Sequence, residues 1–216
     1  MDAEVICMSY KSYQKSRDAA WEILIRHGVS SLPVSLAPIC RAEEIRVMSY
    51  KRAESILREL GVLNFEDGND AFTFGRMIFY DESRPNGRIR FSLAHELGHI
   101  FLHDTSAGTR YNREPDPHDD PIETEANLFA ARLLAPAIVL HDVRAYEPEE
   151  IADLCRISLQ AARFRAERLQ QLEARNRAFL QTRGYPCFGL SPLERQVEKQ
   201  FGGYIARRRK ATNQDF

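Results

Sequence analysis

Apolar residues fall three and four apart along most of this chain, and only a few short runs break that spacing, a pattern that predicts a mainly helical α+β protein. Ser12 to His27 sets Tyr13, Ala20, Trp21, Leu24 and Ile25 on one helical face, and Gly28 is placed to end it in a left-handed conformation. After Leu32-Pro33, Val34 to Cys40 reads as a short helix. Ile45 to Met48 is short and β-branched enough for a strand, and Lys51 to Leu60 returns to helical spacing before Gly61. Ala71 to Phe74 and Met77 to Tyr80 read as strands around Gly75, giving a small antiparallel sheet, and Asp81 to Gly87 is a turn-forming run.

The stretch from Arg90 to Asp104 carries two apolar rows, Phe91, Ala94, Gly98 and Phe101 in one, Leu93, Leu97 and Ile100 in the other. A helix apolar over most of its circumference is predicted to be buried. Asp120 to Pro136 predicts another helix, with Asp120 at the N-cap, Pro121 at the first helical position and Glu123 as the carboxylate of a capping box. Pro148 to Cys155 and Ser158 to about Asn176 read as two helices joined by a short turn, with Ser158 as N-cap. Ser191-Pro192-Leu193-Glu194 repeats the capping pattern, which starts a last helix running to about Ile205. The expected organisation is a core over residues 1–147, a helical segment over 148–206 and a flexible basic tail over 207–216.

Composition changes this picture little. The chain is 44% hydrophobic and 28% charged, ordinary for a globular protein. No basic start followed by an apolar run opens the sequence, and no stretch is long enough to span a membrane, so a cytoplasmic protein with no membrane partner is expected. Cys7, Cys40, Cys155 and Cys187 are scattered without CxxC spacing, which suits reduced, buried thiols and not a cysteine metal site. Charge is unevenly spread: 13 Lys/Arg stand against 8 Asp/Glu from Pro148 onward, and 17 against 23 before it. Arg163, Arg165 and Arg168 raise nucleic acid as a partner, but Glu167 and Glu173 interrupt the patch and favour a solvated face.

The chemistry lies in His95-Glu96-Leu97-Gly98-His99, the HExxH pattern. Residues four apart on a helix stack one turn above each other, so both imidazoles can hold one metal ion, with Glu96 beside them as the base that takes a proton from water. The buried helix strengthens this reading, because two histidines and a glutamate inside it need partners. A catalytic zinc takes three protein ligands, so a second element must supply one, and the candidates are Glu125 and Glu123. Glu123 already has a role in the capping box; Glu125 shares a partly apolar face with Leu128 and Phe129, and it is favoured. His103, Tyr111 and His118 are candidate donors to the transition state or to the ligands. Manganese is the alternative to zinc.

Phe91 to His99, followed by Glu125 to Pro136, resembles the ImmA/IrrE family of metallopeptidases, and the likeness extends over roughly Leu32 to Leu169. The resemblance implies a zincin-like, gluzincin-type core with His95, His99 and Glu125 as zinc ligands, Glu96 as the catalytic residue, and a helix-turn-helix-like segment after it. It also implies a cytosolic endopeptidase that cuts a regulatory protein, a helix-turn-helix repressor or antitoxin. The alternative is a peptidase-like regulator that binds such a partner or DNA without turnover.

Overall fold

The computed structural model describes residues 3–59, 69–103, 105, 121–183 and 191–212. The fold is α+β and mostly helical. The chain divides into two compact units, Met1–Ala20 with Leu36–Ala130, and Trp21–Ser35 with Ala131–Phe216. The breaks between these units fall inside helix α1 (Ala3–Arg26) and helix α5 (Pro121–Leu134). Both helices run through the break without a glycine, a proline or a polar linker, so composition has no boundary to reveal there.

In the first unit, α2 (Leu36–Ala42), β1 (Arg46–Ser49), α3 (Tyr50–Glu59), β2 (Ala71–Phe74), β3 (Met77–Tyr80) and α4 (Asn86–Leu102) lie between α1 and α5. The sheet order is β1-β3-β2. β2 and β3 form the expected antiparallel pair, with Phe72 opposite Phe79. β1 pairs parallel to β3, with Val47 opposite Ile78, so the sheet is mixed and not antiparallel. α3 carries the chain away from β1 and places Tyr50, Ala53 and Leu57 against Phe79, Phe72 and Met77. β2, the first strand after α3, runs opposite to β1, and the reversal at Gly75 brings the chain back as β3 in the direction of β1. The Tyr50 hydroxyl donates to the Asn69 carbonyl at 3.0 Å, and the Phe72 ring lies 5.8 Å from Tyr50 and 5.2 Å from Phe79.

α4 packs on β2 and β3. Its approach is fixed at Asp70, buried just before β2, whose carbonyl accepts from Asp81 N at 2.9 Å and whose carboxylate pairs with Arg84 at 3.1 Å and with Arg88. The turn leading into α4 is thereby tied to the strand beside it. β3, the strand that runs into this turn, is hydrogen-bonded on both sides, so the edge next to α4 is β2.

The second unit holds the end of α1 and of α5, then α6 (Ala137–Asp142), α7 (Pro148–Cys155), α8 (Leu159–Arg183) and α9 (Pro192–Thr212). Gly28 stands at φ 61° as expected, with hydrogen bonds from Gly28 N to Ile25 O and from Val29 N to Leu24 O that close a Schellman motif. Ser158 caps α8 through Ala161 N at 3.2 Å, and Ser191 and Glu194 make the reciprocal bonds of a capping box at 3.0 and 3.2 Å. α9 continues to Thr212, so Arg207 to Lys210 are helical and not the start of a flexible tail. Arg209 is held there by the Asp142 carboxylate at 3.1 Å. Arg165 is buried and donates to Ala135 O at 2.7 Å, which removes it from the exposed arginine patch expected on α8. Cys40 and Cys155 are buried, as expected; burial pushes the Cys40 thiol up to about 11. No helix among the described residues is long and apolar enough to cross a membrane. Cys7 and Cys187 lie outside the residues whose side chains are described.

Candidate metal centre

His95 and His99 stand one turn apart on α4, both buried, and turn their Nε2 atoms to within 3.0 Å of each other. Glu123 of α5 closes the group: its Oε2 lies 3.1 Å from His95 Nε2 and its Oε1 3.2 Å from His99 Nε2. One ligand atom from each of the three residues lies within 4.8 Å of the others, and the group could hold a metal ion. The chemistry of the donors fits one. Two imidazole nitrogens and a carboxylate oxygen that converge in a buried space leave lone pairs facing one another unless a cation or protons stand between them, and this N,N,O set is the kind that binds catalytic zinc. Burial favours the neutral carboxyl of Glu123, but hydrogen bonds and charge from His95 and His99 outweigh it and hold Glu123 far below the usual carboxylate range.

The favoured third ligand, Glu125, is not brought to this group. α5 crosses α4 at Gly98, where a Cβ would lie 3.0 Å from Ala126 Cα, 3.1 Å from Ala126 O and 3.2 Å from the Phe129 ring. Ala126 and Phe129 of α5 thus face α4 there, and Glu123, three residues before Ala126, lies on the Ala126 side of that face. Glu125 is turned to the other side of the crossing. Phe129, a large apolar neighbour that favoured Glu125, does meet α4, but the closest approach is at Ala126, the residue one turn beyond Glu123.

A second layer of polar contacts lies behind the two histidines. His95 Nδ1 faces Asn127 Oδ1 at 2.9 Å, and His99 Nδ1 faces His103 Nδ1 at 3.2 Å. His103 is the C-cap residue of α4, with extended backbone and its N–H on His99 O. Its Nε2 lies 3.1 Å from Glu125 Oε2, and Lys15 Nζ donates to the same oxygen at 2.8 Å. Both ring nitrogens of His103 are therefore engaged, which takes it out of the pool of donors for a reacting oxygen. Burial pushes its pKa below the ordinary imidazole value against the opposing hydrogen bond to Glu125.

Glu96 is buried beside the group, and Thr73 Oγ1 donates to its Oε2 at 2.8 Å. A small cleft of about 10 Å³, room for a single water-sized body, is lined by Thr73, Glu96, His99, Glu123 and residues of the β2 strand. Thr73, Asn127 and Lys15 were not singled out from the sequence. Thr73 alone left a signal, a hydroxyl on the buried face of a strand whose other inward residue is Ala71. Tyr111 and His118, the other candidate donors, and Asp120, the expected cap of α5, lie outside the described residues.

Comparison with known proteins agrees with this geometry. No curated protein and no solved structure matches the chain significantly. The family model of the IrrE N-terminal-like domain, Peptidase_M78, matches residues 48–167. That span is more than half of the sequence and contains α4, α5 and every residue of the His95, His99 and Glu123 group, and the chain accordingly belongs to this family of metallopeptidase-type domains.

Proposed function

We propose that the protein is a zinc-dependent endopeptidase of zincin-like, HExxH type. The observation that carries this reading is the convergence of His95, His99 and Glu123, with the Glu96 carboxylate lining one small cleft together with His99 and Glu123. His95, His99 and Glu123 would hold the ion, and a divalent zinc there supplies Lewis-acid chemistry that makes water nucleophilic near neutral pH and polarises a carbonyl. Glu96 accepts the proton of the attacking water and passes it to the leaving amine. The Thr73 hydroxyl holds one carboxylate oxygen of Glu96 and leaves the other directed to the reacting groups. The cleft itself is too small for a peptide, so the substrate lies across its mouth. β2 offers an edge there, since among the described residues no strand pairs with its outer side, and an extended peptide added to it would run past Thr73 and Glu96.

The substrate proposed is a cytosolic helix-turn-helix repressor or antitoxin, with α7 and α8 as a helix-turn-helix-like segment available for docking. Membership of the family supports this class of activity. The test mixes the purified protein with the repressor encoded beside it, with and without chelator, and repeats the assay with Glu96→Gln. Discrete fragments that vanish with chelator are expected. Glu96→Gln should bind zinc normally and cut about 100- to 10,000-fold more slowly. A stable complex that never yields fragments would instead make the protein a non-catalytic regulator of that partner.

A further inference from the structure

The layer behind the metal centre treats the two histidines differently. His95 Nδ1 meets an amide oxygen, Asn127 Oδ1, which can only accept, so the His95 proton is placed on Nδ1 and its Nε2 lone pair is left for a ligand in one step. His99 Nδ1 meets the Nδ1 of another imidazole, His103, and a neutral imidazole can donate or accept at that atom. If His103 carried its proton on Nδ1 it would donate to His99, and the proton of His99 would then sit on Nε2, where it blocks a metal. Glu125 removes this ambiguity. Its Oε2 lies 3.1 Å from His103 Nε2 and, being a carboxylate held by Lys15 at 2.8 Å, it can only accept. The His103 proton is therefore held on Nε2, His103 Nδ1 accepts from His99 Nδ1–H, and His99 Nε2 is left open toward His95 and Glu123.

We propose that His103 and Glu125, backed by Lys15, are positioning residues that select the metal-binding tautomer and ring orientation of His99. The inference rests on the metal-centre reading above. Partners of this kind behind a metal-bound histidine typically change metal affinity by about 10- to 100-fold.

The experiment measures zinc affinity by competition with a chromophoric chelator, for the full chain and for four variants. Glu125→Leu and His103→Phe should each weaken zinc binding about 10- to 100-fold. Glu125→Gln, whose amide oxygen still accepts from His103, should recover most of the loss. The double variant His103→Phe with Glu125→Leu should be no weaker than His103→Phe alone, because Glu125 acts only through that ring. Additive losses, or a glutamine variant as weak as the leucine one, would reduce both residues to packing and overturn the proposal. Affinity unchanged in Glu125→Leu and His103→Phe would overturn it while leaving the metal centre intact; an unmodified protein that takes up no zinc would instead overturn the reading of the site itself. Should a variant fail to fold, the imidazole ¹⁵N spectrum of the zinc-loaded unmodified protein decides: His103 protonated on Nε2 is expected, and protonation on Nδ1 sinks the relay.

Discussion

Glu123 and Glu125 stand two residues apart on α5, with side chains 11% and 13% exposed, and both face imidazoles of α4. Glu123 sends one oxygen to each of two rings, whereas Glu125 shares a single oxygen between one ring and the ammonium of Lys15. The difference lies in what supplies the positive charge. Behind the histidines a lysine is built in, and the carboxylate there is compensated by the fold. In front of them the carboxylate meets, among the described residues, the ring nitrogens of His95 and His99, and a divalent ion is the group that would satisfy all three. Identical residue types at nearly identical burial thus separate into the proposed ligand and its proposed support by which side of the Gly98 crossing they occupy.

The sharpest way to break this contrast is to truncate each carboxylate in turn. Glu123→Ala removes a ligand and should cost more zinc affinity than the about 10- to 100-fold expected for Glu125→Ala, which leaves all three ligand atoms in place. Chelator competition on both variants gives the ranking. Equal losses, or a larger one at Glu125, would return Glu125 to the ligand role that the family resemblance implied.

A smaller effect is expected at Thr73, which touches the front of the site but no ligand. Thr73→Val keeps the shape and removes the hydrogen bond to Glu96. A hydrogen bond to a charged group is worth about 1.5–3 kcal/mol, and only part of it bears on the proton-transfer step, so kcat should fall about tenfold with zinc affinity and KM unchanged. A variant that lost zinc instead would place Thr73 in the support of the metal group.

Much of this arrangement is legible in the sequence. β2 and β3 fall on the residues that alternation and Gly75 marked out, and α4 carries the two apolar rows that bury its histidines. Local signals of this kind survive because turn chemistry and periodicity act over a few residues. What was not legible depends on which element lies beside which. The parallel pairing of β1 with β3 depends on β2 entering the sheet opposite to β1, the division inside α1 and α5 on contacts far apart in sequence, and the ion pair of Glu125 on Lys15, 110 positions away. The choice between Glu123 and Glu125 sat between these cases. Gly98 on one helix and Ala126 on the other mark where the two meet most closely, and a close helix crossing needs small residues on both sides; Glu123 is the carboxylate one turn before that contact.

Gly98→Ala tests the crossing on which the whole contrast depends. Alanine gains about 1 kcal/mol over glycine in a helix interior, yet its Cβ would stand 3.0 Å from the Ala126 backbone, which cannot turn aside as a flexible side chain can. Overpacking of this sort costs about 1–3 kcal/mol, so the net loss should be about 1 kcal/mol. Where the loss is read depends on α5. If α5 holds its place, the metal-free variant melts at lower temperature and binds zinc as before. If α5 yields, the metal-free protein keeps its stability, and the strain returns when Glu123 is drawn back to the histidines, as about fivefold weaker zinc binding. Melting and chelator competition on the same variant therefore trade against each other with a constant sum. A variant unchanged in both would mean that Gly98 does not set the distance between the two helices, and the separation of Glu123 from Glu125 would need another cause.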